Sequence, residues 1–249
     1  MQFSGKVAIV TGGTGSIGRE TAALLGRQGA RVLVADVSED GSNVADALVS
    51  RGIDAAFLRT DVSLEADVER MVGWVMDRWQ RLDVMVANAG IGGRGAADVL
   101  TLSNWQRVMD VNLTSVFLCI KHAVPAMRLN GGGSIVSTAS VMGLVGPAGA
   151  VSYAATKGAI VNLTRAAAVD YAAENIRVNA VCPGHLESPT SVGGAAPRAA
   201  VPRDLLARYP MGRLAKPVEV ANAIAFLSSD AASFITGTSL VVDGGYSAQ

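Results

Sequence analysis

Val7-Ala-Ile-Val-Thr-Gly-Gly-Thr-Gly-Ser-Ile-Gly18 opens with an apolar, mostly β-branched run and passes at once into a glycine-rich turn. Such a run predicts a strand covered on both faces, as in a parallel sheet. Arg19 to Gln28 then reads as an amphipathic helix closed by Gly29. Arg31-Val-Leu-Val-Ala-Asp36 follows as a second buried strand that ends in an acid. The interval from the glycine turn to that acid is about what a β-α-β dinucleotide unit needs. The turn lets the backbone approach a pyrophosphate and sets the anion at a helix N-terminus, where free N–H groups and the dipole attract it.

The same alternation continues outward. Helices are expected over 43–51, 64–80, within 102–129 (carrying Asn112), and over 153–173 and 218–229. Strands are expected over 55–58, 82–87, 134–137, 176–181 and 239–243. In 64–80, Val68, Met71, Val72, Val75 and Trp79 form one apolar stripe. Strand and helix alternate from end to end, with no linker and no repeat of solenoid length. The fold class is therefore α/β: one Rossmann-type, doubly wound parallel sheet of about seven strands, helices on both faces, and a single domain over 1–249. Residues 185–215 hold four prolines and no clear periodicity. A loop of that length predicts a segment that covers a site.

Composition narrows the function classes. The chain has 249 residues, 50% hydrophobic and 17% charged, with a net charge of zero. No basic run invites nucleic acid or an anionic membrane. The uncharged span 129–156 is too rich in Gly, Ser and Thr for a membrane helix, and Pro147 interrupts it. Cys119 and Cys182 lie in apolar contexts and read as small buried hydrophobes, with no metal site expected. The N-terminus enters a strand-like run directly, so a cytoplasmic location is expected.

Two sets of residues carry chemistry. Gly12, Thr14, Ser16, Ile17 and Gly18 form the phosphate turn. Asp36, followed by Val37, can accept hydrogen bonds from the adenosine ribose hydroxyls and repel a 2′-phosphate. No Arg or Lys lies within 11–18 or 36–38, which favours NAD over NADP. Asp61-Val62 ends the third strand, where the acid is either a solvated helix N-cap or a group near the adenine edge. Asn88-Ala89-Gly90 ends the fourth. The second set lies in 140–157, where Tyr153 and Lys157 are four apart and share one helical face.

In this order and spacing, Thr11-Gly12 with Gly18, Asp36, Asp61-Val62, Asn88-Ala-Gly90, Asn112, Ser140, Tyr153 with Lys157, Pro183-Gly184 and Asp243-Gly-Gly245 resemble the short-chain dehydrogenase/reductase family. There are two departures. The middle glycine of the family's turn is replaced by Ser16, with Gly15 one place earlier, which bears on the turn's geometry. Ser188 stands where the family often has a Thr that bonds the cofactor's carboxamide. The resemblance implies that Pro183, Gly184, Leu186 and Ser188 lie along the cofactor. It implies that Tyr153 is the general acid/base and that Lys157 lowers its pKa and bonds the nicotinamide ribose. Ser140 positions the substrate oxygen, and Asn112 holds a water on the path from Lys157 to solvent. A phenol titrates near 10, so a base working near neutrality needs roughly three pK units, about 4 kcal/mol.

The implied activity is hydride transfer between NAD(H) and a secondary alcohol or ketone. Val192, Ala195, Ala196, Ala199, Ala200, Val201 and Leu205 suggest an apolar pocket, with 92–95 and Met142 on its other wall. His185 is either a substrate contact or a satisfied cleft histidine. Alternatives are a 3-oxoacyl carrier-protein reductase, against which Asp36 and Glu174 argue, and a non-catalytic dinucleotide-binding regulator. The family commonly forms tetramers through its long central helices, so a homotetramer is expected, with a dimer second. Val116, Phe117, Ile120 and Val124 cannot all face one sheet.

Overall fold

The computed structural model describes residues 1–187 and 203–249. Seven parallel strands form one sheet: β1 (Val7–Thr11), β2 (Arg31–Asp36), β3 (Ala55–Arg59), β4 (Val84–Ala87), β5 (Gly133–Thr138), β6 (Ile176–Pro183) and β7 (Ser239–Val242). Their order is β3-β2-β1-β4-β5-β6-β7. The chain reverses direction of travel between β1 and β4, and the crevice at that switch point is where open α/β sheets bind ligands.

Side chains alternate across the sheet. Val7 and Ile9 point into a core shared with α3 (Glu65–Trp79), α5 (Ser115–Leu129) and α6 (Val151–Tyr171). Ala8 and Val10 point the other way, against α1 (Ser16–Arg27), α2 (Gly41–Val49) and α8 (Pro217–Ser228). With both faces covered, β1 must be apolar throughout, and it is buried at every position. The expected stripe of α3 is buried at all five of its residues.

Three differences from the expected elements bear on the site. First, α1 starts at Ser16, three residues early, because Gly15 is extended and serves as N-cap. Second, the long helix expected in 102–129 is two helices, α4 (Leu102–Met109) and α5, joined by a π-helical turn at Asp110–Thr114. Asn112 sits in that turn, fully buried. Third, 185–215 is not wholly irregular: it contains the short helix α7 (Arg203–Ala207), and Leu186 bridges Ala215 in parallel. Val192, Ala195, Ala196, Ala199, Ala200, Val201 and Ser188 lie outside the described residues. Of the four apolar α5 residues, Val116, Ile120 and Val124 are buried and Phe117 is 49% exposed.

Candidate active site

The mouth of the crevice is built by threonines and one asparagine. The Thr11 hydroxyl donates to Val86 O and accepts from the N–H groups of Asn88 (2.9 Å) and Ala89 (3.1 Å). The Asn88 amide donates to Thr11 O at 3.0 Å, and its oxygen accepts from Thr138 Oγ1 at 3.1 Å. These bonds lock the ends of β1, β4 and β5 together. They leave Gly12 against Ala89: a Cβ at Gly12, whose φ is +64°, would lie 2.8 Å from Ala89 Cα. A Cβ at Gly18 would overlap the Gly12 carbonyl. Only glycine allows the turn to fold this tightly onto the helix start.

The turn leaves an anion cradle. No side chain caps α1, and its first turn holds no acid, so its leading N–H groups remain available to a phosphate. Ser16 is exposed at the first helical position. Ile17 packs on the core behind the turn, and Gly18 is buried. The cradle fits a dinucleotide pyrophosphate.

At the adenosine end, Asp36 is held. Its Oδ2 accepts from the Thr14 N–H (3.0 Å) and hydroxyl (2.8 Å), and its Oδ1 from the Ser38 N–H (3.0 Å). Val37 beside it is exposed. Asp61 Oδ1 accepts from the N–H and hydroxyl of Ser63, and Val62 is buried in the core. The Asp61 carboxylate therefore turns the chain into α3 as well as standing at the rim.

On the far side of Asn88, α6 brings in the reactive pair. Lys157 is 3% exposed. Its Nζ donates to Thr138 O at 2.6 Å and lies 5.5 Å from the centroid of the Tyr153 ring. A Cβ at Gly90 would stand 3.6 Å from that Nζ and 3.3 Å from Asn112 Oδ1. Lys157 therefore faces the mouth, with the Tyr153 ring beside it. The Asn112 oxygen accepts from Ile91 N–H at 2.7 Å, and its amide donates to Ile91 O at 2.9 Å. The side chain thus ties the π turn to the loop following Gly90. Ser140, after β5, accepts from Met142 N–H at 3.1 Å through its hydroxyl oxygen, which leaves the hydroxyl proton free to donate. Asn112, Ser140, Tyr153 and Lys157 come together as the motif spacing implies.

Burial dominates the electrostatics of the pair. Burial raises the Tyr153 phenol above its usual value, with the Ser140 hydroxyl pulling the other way. Burial also lowers the Lys157 ammonium to about 8. The lowering expected of Tyr153 calls on the oxidised nicotinamide as well as on Lys157. Nζ is turned to a carbonyl, and the site holds no second cation to offset the loss of hydration.

Pro183 ends β6, and Gly184 N–H donates to Val242 O at 3.0 Å. Leu186 packs on the core under α1 and α8. His185 is a satisfied cleft histidine. Its backbone N–H donates to the Tyr209 hydroxyl at 2.8 Å, and its Nδ1 pairs with the same oxygen at 2.6 Å. Burial depresses its pKa. Tyr209 packs with Val141, Leu214, Tyr246 and Met142 next to Ser140. Sequence reasoning missed Thr138, whose carbonyl anchors Lys157 and whose hydroxyl anchors Asn88. Its position at the carboxyl end of β5 was the available signal. Among the described residues, no cluster of three His, Cys, Asp or Glu could hold a metal, and no helix is long and apolar enough to cross a membrane.

Comparison with known proteins agrees with this geometry. The family model described as enoyl-(acyl carrier protein) reductase matches residues 12–247. Cis-4-hydroxycyclohexanecarboxylate dehydrogenase of Sinomonas cyclohexanicum is 47% identical over 99% of this chain and 98% of its own. Cyclopentanol dehydrogenase of a Comamonas species is 42% identical over 98% of this chain and 97% of its own. Cyclohexanol dehydrogenase of an Acinetobacter species is 38% identical over 100% and 97%. A solved structure assigned to the short-chain dehydrogenase/reductases, from Burkholderia xenovorans, superposes with a TM-score of 0.92 at 36% identity, covering 100% of this chain and 98% of that one. The chain belongs to the short-chain dehydrogenase/reductase family and is an alcohol dehydrogenase that uses a nicotinamide dinucleotide.

Proposed function

We propose that the protein oxidises cyclic secondary alcohols with NAD, Tyr153 acting as the proton acceptor. The carrying observation is the convergence of Ser140, Tyr153, Lys157 and Asn112 on the mouth lined by Gly90. Gly12, Thr14, Ser16, Ile17 and Gly18 would hold the pyrophosphate. Asp36 and Val37 would flank the adenosine ribose, and Asp61 and Val62 the adenine. Asn88, Ala89, Gly90, Pro183, Gly184, Leu186 and Ser188 would line the nicotinamide half. When bound, the cofactor supplies the hydride acceptor; proton handling falls to the protein.

The Ser140 hydroxyl proton donates to the carbinol oxygen and orients it. The Tyr153 phenolate takes the carbinol proton as the C–H bond breaks. Burial opposes that phenolate, so cations must favour it: the Lys157 ammonium near the ring, and the charge of the oxidised nicotinamide when present. Lys157 then passes charge toward the π turn at 110–114, whose displaced backbone carbonyls suit a held water. Ring alcohols are favoured because the relatives named above act on cyclohexyl and cyclopentyl alcohols. The apolar patch of Val141, Met142, Leu205 and Leu206 beside Ser140 suits such a ring.

A carrier-protein substrate is disfavoured. Arg128, one place where an acidic carrier would dock, is paired with Glu174, with Nη2 to Oε1 at 2.8 Å. The groove of ≈270 Å³ between α5 and α6, lined by Phe117, Val124, Pro125 and Leu163, suits a second copy within a homotetramer, or failing that a dimer. Light scattering at micromolar concentration checks this; a monomer would refute it. The activity test is NADH formation from cyclohexanol, cyclopentanol and open-chain secondary alcohols, with NADP as the control. The reading expects the ring alcohols with NAD to be fastest. No turnover of any ring alcohol would refute it.

A further inference from the structure

The rim around Asp36 holds more than one charge. Arg19, in the first turn of α1, donates from Nε to Thr14 O at 2.7 Å. Thr14 in turn donates both its N–H and its hydroxyl to Asp36 Oδ2. A guanidinium and a carboxylate therefore stand on opposite sides of one residue. Arg19 Nη2 is paired with Asp40, which also accepts from Asn43 Nδ2 at 2.9 Å. Across the rim, Arg59 Nε is paired with Glu39 at 3.1 Å. Each of these cations has its own carboxylate. Asp36 has no cation within salt-bridge distance among the described residues, so it stands as an uncompensated negative charge, held in a fixed orientation by Thr14 and Ser38.

We propose that Asp40 is a specificity-determining residue: it sequesters Arg19, which would otherwise serve as a ligand for a 2′-phosphate, while Thr14 holds Asp36 against that phosphate. The proposal rests on the NAD reading above. Arginine meets a phosphate with two parallel N–H donors, and its exposed side chain needs only a change of rotamer to swing about its bond to Thr14 O. Asp40 occupies those donors instead. Removing Asp36 alone lifts the repulsion but leaves no cation for the phosphate. Removing Asp40 as well releases one.

The test is fluorescence titration of the purified protein with NADH and NADPH, without alcohol, so that catalysis plays no part. Thermal melting and far-UV circular dichroism confirm that each variant is folded. The expected order of NADPH affinity is wild type weakest, Asp36→Ser intermediate, and Asp36→Ser with Asp40→Asn tighter by a further ~tenfold, as a charge-assisted bidentate pair allows. Adding Arg19→Gln to the double variant removes that last gain. Equal NADPH binding by the single and double variants overturns the proposal, as does a gain that survives Arg19→Gln. If the wild type itself binds NADPH more tightly than NADH, the NAD reading falls, and the proposal with it.

Discussion

The two ends of the cleft treat charge in opposite ways. At the nicotinamide end, Lys157 and Tyr153 are sunk among carbonyls and apolar walls with no counter-ion among the described residues, and burial pushes both away from their charged forms. At the adenosine end, charges are exposed and paired: Arg19 with Asp40 and Arg59 with Glu39. The difference shows how one sheet edge divides its work. Where protons move, desolvation keeps groups poised to change charge. Where a ligand is selected, paired charges leave one fixed carboxylate to decide.

The largest effect should come from the buried end. Tyr153→Phe deletes only the hydroxyl. It is expected to lower the turnover of alcohol oxidation by ~10³-fold, within the range of general acid–base contributions, while NADH binding stays within a few-fold. A matching loss of binding would mean the phenol is scaffolding, and the contrast between the ends would break.

The pH profile sharpens it. Lys157 loses its proton as pH rises through about 8 in the free protein. Below that value the ammonium is present and helps Tyr153 ionise; above it the help is withdrawn. The kcat/KM for oxidation should therefore climb with pH by up to about tenfold per unit and break near that value. In Lys157→Met the residual activity should show no such break. An unchanged break would assign it to another group.

Asn112 tests whether the buried end depends on its scaffold. Asn112→Leu leaves the N–H and C=O of Ile91 without partners. Urea unfolding should show a loss of ~2–4 kcal/mol, from two partly buried groups at about 1–2 each. A loss below ~0.5 kcal/mol would mean that the π turn holds itself.

Away from both ends, Glu219 gives the smallest effect. The Arg213 guanidinium and the Lys216 N–H hold its carboxyl down at about 2. Its folded value lies below the unfolded one, so its stabilisation is present above about 4.5 and is lost as pH falls toward 2. The side chain is 35% exposed, so screening limits the gain to about 1 kcal/mol. Glu219→Gln should cost that much at neutral pH and almost nothing at pH ~2. An equal cost at both would assign the effect to packing.

Much of this was legible in the sequence because the fold forces it. A strand covered on both faces must read as Val7-Ala-Ile-Val10, and the turn onto α1 admits only glycine at 12 and 18. The pairing of Tyr153 with Lys157 follows from helical spacing alone. What was not legible depends on contacts between distant segments. Nothing local marks Asn112 as the site of a π turn; its amide bonds to Ile91, 21 residues away, decide that. Thr138 acts partly through its carbonyl, which residue type does not report. Arg19 lies one position past the phosphate turn, and only folding returns its side chain to Thr14. Motif spacing conveys the cation near Tyr153 but not the depth at which the two side chains are buried.

The most direct measurement of the central claim is NADH production from cyclohexanol and NAD by the wild-type protein and by Tyr153→Phe at saturating cofactor. The account predicts steady turnover by the first and a rate ~10³-fold lower in the second. A variant rate within ~tenfold of wild type would show that the carbinol proton leaves by another route.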